Sequence, residues 1–195
     1  MIKFFVTAFL IGCGAMLGAC ATLNESECKT VDWKQLGDTD GSQGHLATRI
    51  AKHNKACEKH GLSVDAARYH SGWQAGIVRF CTPQNGFTLG ARGGSYAGSC
   101  PSELASAFEA AYRPAFALYR AENDLHAIES RIDARIDEIR YLSLSHKPED
   151  RERLRHASED LRHLRYDLPS RRVDVEIAHR NRDDYLRANP HILAF

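Results

Sequence analysis

The chain has 195 residues, with 26 Lys and Arg against 25 Asp and Glu, a formal net charge of +1. Neither half departs from this balance: Ala21 to Cys100 holds 9 basic against 7 acidic residues and Pro101 to Phe195 holds 16 against 18. There is thus no basic field of the kind that nucleic-acid binding requires, and the length suits one ordinary domain or a small head with an extension.

Met1-Ile2-Lys3, an apolar run from Phe4 to Met16 and then Leu17-Gly18-Ala19-Cys20 read as a secretory signal peptide ending in a lipobox. Small residues before the cysteine fit a narrow peptidase site, and the Cys20 thiol takes the diacylglycerol. This makes 1–19 the signal peptide and Cys20 the mature N-terminus. The apolar run, interrupted by Gly12 and Gly14, falls short of the roughly 20 residues a spanning helix needs. A second box, Leu10-Ile11-Gly12-Cys13, would leave an apolar stretch at the lower limit of signal-peptide length. Ala21 follows Cys20 where a retention aspartate would stand, which by resemblance to enterobacterial lipoproteins favours the outer membrane. The expected address is its periplasmic face, with the protein lipid-anchored and the membrane its first partner.

With Cys13 removed and Cys20 acylated, Cys28, Cys57, Cys81 and Cys100 remain, an even set in an exported protein and hence a disulfide framework. Of three connectivities, the sequential pairs Cys28–Cys57 and Cys81–Cys100 are preferred by proximity. Each closes a loop of about 20 to 30 residues and contributes on the order of 3 kcal/mol in the chain-entropy picture. Eleven of the 14 glycines lie between Gly37 and Gly98. An aromatic residue precedes glycines spaced four apart in three places: Trp33 with Gly37 and Gly41, Tyr69 with Gly72 and Gly76, and Phe87 with Gly90 and Gly94. Glycines four apart share one helix face and let another backbone approach. The first two units predict helix, while the third, with Gly93 and Gly94 adjacent, reads as turns at least as readily. Short helices are expected over Asp32–Gly41, Leu46–His60 and Asp65–Phe80, with Asp65 as a cap and Gly61 as a stop. Thr82-Pro83-Gln84-Asn85-Gly86 reads as a loop by composition.

Cys28, Asp32-Trp33, Gly37, Asp40-Gly41, Gly44, Cys57, Gly61, Tyr69, Gly72, Gly76, FCTPQNGFTLG and Tyr96-Ala97-Gly98-Ser99-Cys100-Pro101 together resemble a family of bacterial lipoproteins, domain-of-unknown-function family 2799. The resemblance implies a small envelope lipoprotein and carries over no catalytic residue. The long Arg-rich C-terminal region departs from its shorter members.

Glycine is absent after Gly98, which leaves the second half free to form long helices. Ser102 reads as a cap with Glu103 complementing the helix start. Leu118, Leu125, Ile132 and Ile139 then repeat every seven residues, flanked by Ile128, Ile136 and Leu142. His146 to Asp150 interrupts the stripe, and Leu154, Leu161, Leu168 and Val175 form a second one. The pattern predicts an antiparallel helical hairpin over 102–195, with Pro114 and Pro169 breaking or bending its arms. The expected fold is therefore all-α: a glycine-rich, disulfide-stapled helical head at 20–101 followed by this long hairpin.

Acidic residues interleave with most of the hairpin's arginines. Arg162, Arg165, Arg171 and Arg172 are locally unbalanced and are the candidate partner-binding residues, suited to an acidic envelope protein, lipid head groups or lipopolysaccharide. His53, Cys57 and His60 have the spacing of metal ligands on a helix, but cysteine pairing competes in an oxidising compartment, and no metal or cofactor is expected. Ser71, Ser95 and Ser99 lie near glycines with His70 close in sequence, and Leu89 to Ser95 is rich enough in glycine to offer amides to an oxyanion. No strand-turn-helix elbow surrounds these serines, so no catalytic residue is assigned. The expectation is a binding or scaffolding protein, with an envelope enzyme such as a peptidoglycan-active hydrolase as the alternative.

Overall fold

The computed structural model describes residues 22–193. Cys13 and Cys20, on which the lipobox reading rests, lie outside the described residues. Among those described the chain is all helix: α1 (Glu25–Thr30), α2 (Trp33–Ser42), α3 (Ile50–Glu58), α4 (Ala66–Phe80), α5 (Pro83–Ala91), α6 (Ser102–Ser143) and α7 (Pro148–Ala188), with 3-10 turns at Ala47–Arg49 and Pro190–Ile192.

Local chemistry sets most of the ends. Asn24 and Glu27 form a capping box on α1, Asp32 accepts from the Lys34 and Gln35 amides at α2, and Asp65 accepts from Arg68 at α4. Gly61, at φ +69°, takes the left-handed turn just after α3. Two readings are corrected. Thr82 to Gly86 is no loop but the start of α5, with Thr82 accepting from the Asn85 amide and Pro83 in the first turn, where its missing N–H costs nothing. Ser102 is the first residue of α6 rather than its cap, and Pro101 holds the cap position.

The head is built around backbone contact. α2 crosses α4 so closely that a Cβ on Gly37 would strike the Tyr69 carbonyl, one on Gly72 the Lys34 carbonyl, and one on Gly76 the Asp38 carbonyl, all far inside real Cβ contacts. Glycine's entropic cost in a helix is offset here by this approach. The third glycine unit differs from its expected form. The glycines that pack are Gly86 and Gly90, against Phe108 and Tyr112 of α6, while Gly93 and Gly94 turn the chain after α5. Cys28 is bonded to Cys57, joining α1 to α3, and Cys81 to Cys100, joining the ends of α4 and α6.

One core gathers Leu23, Cys28, Trp33, Ala56, Cys57 and Tyr69; a second gathers Ile77, Phe80, Cys81, Leu89 and Phe108. The second core uses the first turns of α6, where Phe108 stacks on Phe80 and Tyr112 stacks on Phe116.

Beyond the head, α6 and α7 run antiparallel. Ile128, Ile132 and Leu164 are buried between them, with Leu125, Ile136, Leu161 and Leu168 packed alongside. Arg135 reaches Asp160 at 3.3 Å and Arg172 reaches Glu129 at 3.5 Å across the seam. At about 1.5 Å per residue α6 is about 60 Å long. Pro114 and Pro169 break neither arm. Each removes one amide donor, but Ala110 and Arg165, four residues earlier, are solvent-exposed and their carbonyls can be hydrated instead. Pro148, Glu149 and Asp150 open α7, so the interruption is shorter than expected. In the turn, the Ser145 hydroxyl donates to Asp150 at 2.5 Å and Arg153 pairs with the same carboxylate at 3.2 Å.

Candidate functional site

The head holds a cluster of buried polar groups. Asp40, on the glycine face of α2, is 3% exposed, His53 on α3 is 2% exposed and Tyr69 on α4 is wholly buried. The Tyr69 hydroxyl donates to Asp40 Oδ2 at 2.7 Å, and His53 Nε2 lies 2.8 Å from the same oxygen. Arg49 Nε sits 3.1 Å from Asp40 Oδ1, an ion pair whose N–H is not aligned for a hydrogen bond. Burial alone would raise the Asp40 pKa. The bonds from His53 and Tyr69 and the charge of Arg49 outweigh it and hold the carboxyl below its ordinary range. Burial, then the hydrogen bond and charge of Asp40, raise the Tyr69 phenol. Burial, with the charge of Arg49, lowers neighbouring His45.

An ionised Asp40 can only accept, so Nε2 of His53 carries a proton, and in the neutral ring Nδ1 accepts from the Thr22 hydroxyl, 2.9 Å away. Hydroxyl, imidazole and carboxylate stand in the order of a nucleophile, base and orienting acid. The imidazole is nevertheless enclosed, and Asp40 takes bonds from two side chains of different helices. What this arrangement does is lock α2, α3 and α4 to one another and hold the chain at Thr22.

The sequence candidates fall elsewhere. His53, Cys57 and His60 go three ways: to Asp40, to Cys28 and towards Glu25 at 3.6 Å. His70 is exposed on α4 and Ser95 exposed after α5. The Gly93 and Gly94 amides donate to the Gly90 and Leu89 carbonyls, so the glycine-rich segment spends them on closing α5. Arg162, Arg165, Arg171 and Arg172 are all exposed on α7. Arg171 faces Asp174 at 3.5 Å and Arg172 faces Glu129, whereas Arg162 and Arg165 have no carboxylate partner among the described residues. Sequence reasoning missed Arg49 and the union of Asp40, His53 and Tyr69. The available signal was an aspartate on the same face as Trp33, Gly37 and Gly41, where a solvated acid does not belong.

Residues 32–117 match the model of a family described as Protein of unknown function (DUF2799). This stretch runs from the α2 cap into α6 and bears out the resemblance to domain-of-unknown-function family 2799 over those residues. No curated protein and no solved structure matches the chain.

Proposed function

We propose that this protein is a lipoprotein of the cell envelope, tethered through Cys20 at the periplasmic face of the outer membrane, which binds a partner along its hairpin. The observation that carries the reading is the outer face of α7. Tyr166 is 84% exposed and Val173 50% exposed. With Arg162 and Pro169 they recur three or four residues apart and so share one strip, with Arg165 at its edge. An exposed tyrosine between arginines without internal partners is the composition of an interface centre. The lipobox and the two disulfides support the address.

Two experiments test this. Cys20→Ala is expected to abolish labelling by a clickable fatty acid and retention in the membrane fraction, while Cys13→Ala leaves both intact; continued labelling of the Cys20 variant refutes the anchor. For the hairpin, capture of partners from detergent-solubilised envelope is compared between the native protein and a triple variant, Arg162→Gln, Arg165→Gln and Tyr166→Ala. These side chains are exposed, so helicity should be unchanged. Loss of an aromatic and arginine centre weakens binding by about 30-fold or more, and what remains should fall with added salt. A partner held equally by both proteins defeats the assignment of the α7 face.

A further inference from the structure

The way the chain enters the head limits how far the head can stand from its anchor. Thr22 is held by His53, Leu23 is 9% exposed within the first core, Asn24 caps α1, and four residues later Cys28 is bonded to Cys57 of α3. From Thr22 onward there is no slack. Between Cys20 and Thr22 the chain advances at most about 7 Å, however those residues run, because each residue spans no more than about 3.3 to 3.6 Å. A lipid head-group layer is about 5 to 7 Å deep, and a helix with its side chains is about 10 Å across. Given an acylated Cys20, on which this inference rests, whatever surface adjoins Thr22 within about one helix diameter meets the head groups.

α1 brings Glu25 and Glu27 to that surface, but Glu25 is paired with Lys29 and Glu27 accepts from the Asn24 amide, and the α3 side of it is cationic. α3 turns His53, Ala56 and Cys57 inward, while Lys52, Lys55 and, at its C-terminal cap, Lys59 are exposed and, at spacings of three and four, lie in one stripe. None of these lysines has a carboxylate partner among the described residues. Glu58, the acid of the same helix, takes its hydrogen bond from Asn54. Next to Lys52 is a hollow of about 210 Å³ lined by His45, Leu46, Thr48 and Arg49 as well as Lys52 itself. Leu46 is 44% exposed at its edge. Arg49 is held there by Asp40 behind it. Two cations and a hydroxyl around a small hollow suit a phosphate oxygen, and an exposed leucine beside them suits the acyl boundary.

We propose that the face of the head formed by Lys52, Lys55, Lys59 and the Arg49–Lys52 hollow lies against an anionic phospholipid surface, so that the protein is seated on its membrane and does not swing from it. The occupant is a phospholipid head group. Among the hairpin arginines, Arg171 and Arg172 are engaged by acids of the hairpin itself, and Arg162 and Arg165, which are not, belong to α7 and not to α3, the helix that holds Thr22.

The test uses the acylated full-length protein, floated with phosphatidylcholine vesicles with or without phosphatidylglycerol and compared with the protein in a neutral detergent. An amine-reactive acetylating reagent followed by peptide mass spectrometry reads each lysine. Lys52, Lys55 and Lys59 are expected to react about fivefold more slowly on the anionic vesicles, with less protection on phosphatidylcholine alone and no change at Lys147 in the hairpin turn. If the protein floats and the α3 lysines react as freely as in detergent, the seating is wrong. Inorganic phosphate in detergent giving the same protection without vesicles reassigns the hollow to free phosphate and overturns the proposal. Protein that neither floats nor carries a fatty acid on Cys20 refutes the anchor itself, a failure the flotation separates from the others.

Discussion

Gly72→Ala is expected to unfold the head more readily than any exposed substitution, at a cost of about 3 kcal/mol or more. Overpacking typically costs about 1 to 3 kcal/mol when a side chain can move aside. At Gly72 the obstacle is the Lys34 carbonyl of α2, with the Asp38 amide close behind, so the backbones themselves must part. Gly37, Gly41 and Gly76 line the same crossing, and the parting would loosen all four. Gly61→Ala is the informative contrast. Nothing lies within 4 Å of its new methyl, and only the positive φ opposes it, so its cost should stay near about 1 kcal/mol. Urea unfolding followed by tryptophan fluorescence reads the crossing directly, since Trp33 and Trp73 are the chain's two tryptophans and lie on α2 and α4. A Gly72 variant with native stability would mean that the helices are not in backbone contact.

Asp40→Ala is expected to cost about 3 to 5 kcal/mol, the range for removing one member of a buried charge pair, because Arg49, His53 and Tyr69 all lose their common acceptor. The same cluster predicts a shape for stability against pH. The Asp40 carboxyl titrates lower in the folded state than in the unfolded one, so its contribution is complete above the ordinary carboxylate range, about 4, and disappears as pH falls through the depressed value. The Tyr69 phenol is raised, so its contribution is complete below about 10 and is lost as pH climbs from there towards the raised value. Urea midpoints should therefore fall on both sides of a broad plateau. Asp40→Asn should flatten the acid limb selectively and Tyr69→Phe the alkaline one. An acid limb unchanged by Asp40→Asn would show that the carboxylate is not ionised in the folded protein.

What could be read from the chain was what depends on neighbours in sequence. Asp32 and Asp65 cap helices because a carboxylate two or three residues before a free amide reaches it without any help from the fold. The heptad leucines and isoleucines of the hairpin report one helix face wherever that face is buried. Thr82 to Gly86 misled because proline, asparagine and glycine are turn residues in general. Here proline opens a helix and Gly86 fits under α6, a fact that depends on Phe108. Pro114 and Pro169 misled for a similar reason, since a helix packed along its length tolerates a missing bond that would stop an isolated one. The Asp40 cluster joins residues 9, 13 and 29 positions apart, and no local pattern records such partners. Arg172 looked unbalanced because the acid facing it is Glu129, on the other arm, whereas Asp174, which faces Arg171, stands three residues on in the same helix.

Pro190 to Ile192 turn back onto the head, and Ile192, 2% exposed, settles beside α5. Both arms of the hairpin are thereby rooted in the same body, one through the aromatic stack on α6 and the other through this last turn. A pull on the turn at Leu144 to Lys147 would load the two arms in parallel, and separating them would mean sliding the whole apolar seam at once instead of peeling it residue by residue. The hairpin is thus fixed to the head through both of its arms, and loss of the Ile192 turn would leave α7 free to be drawn away on its own.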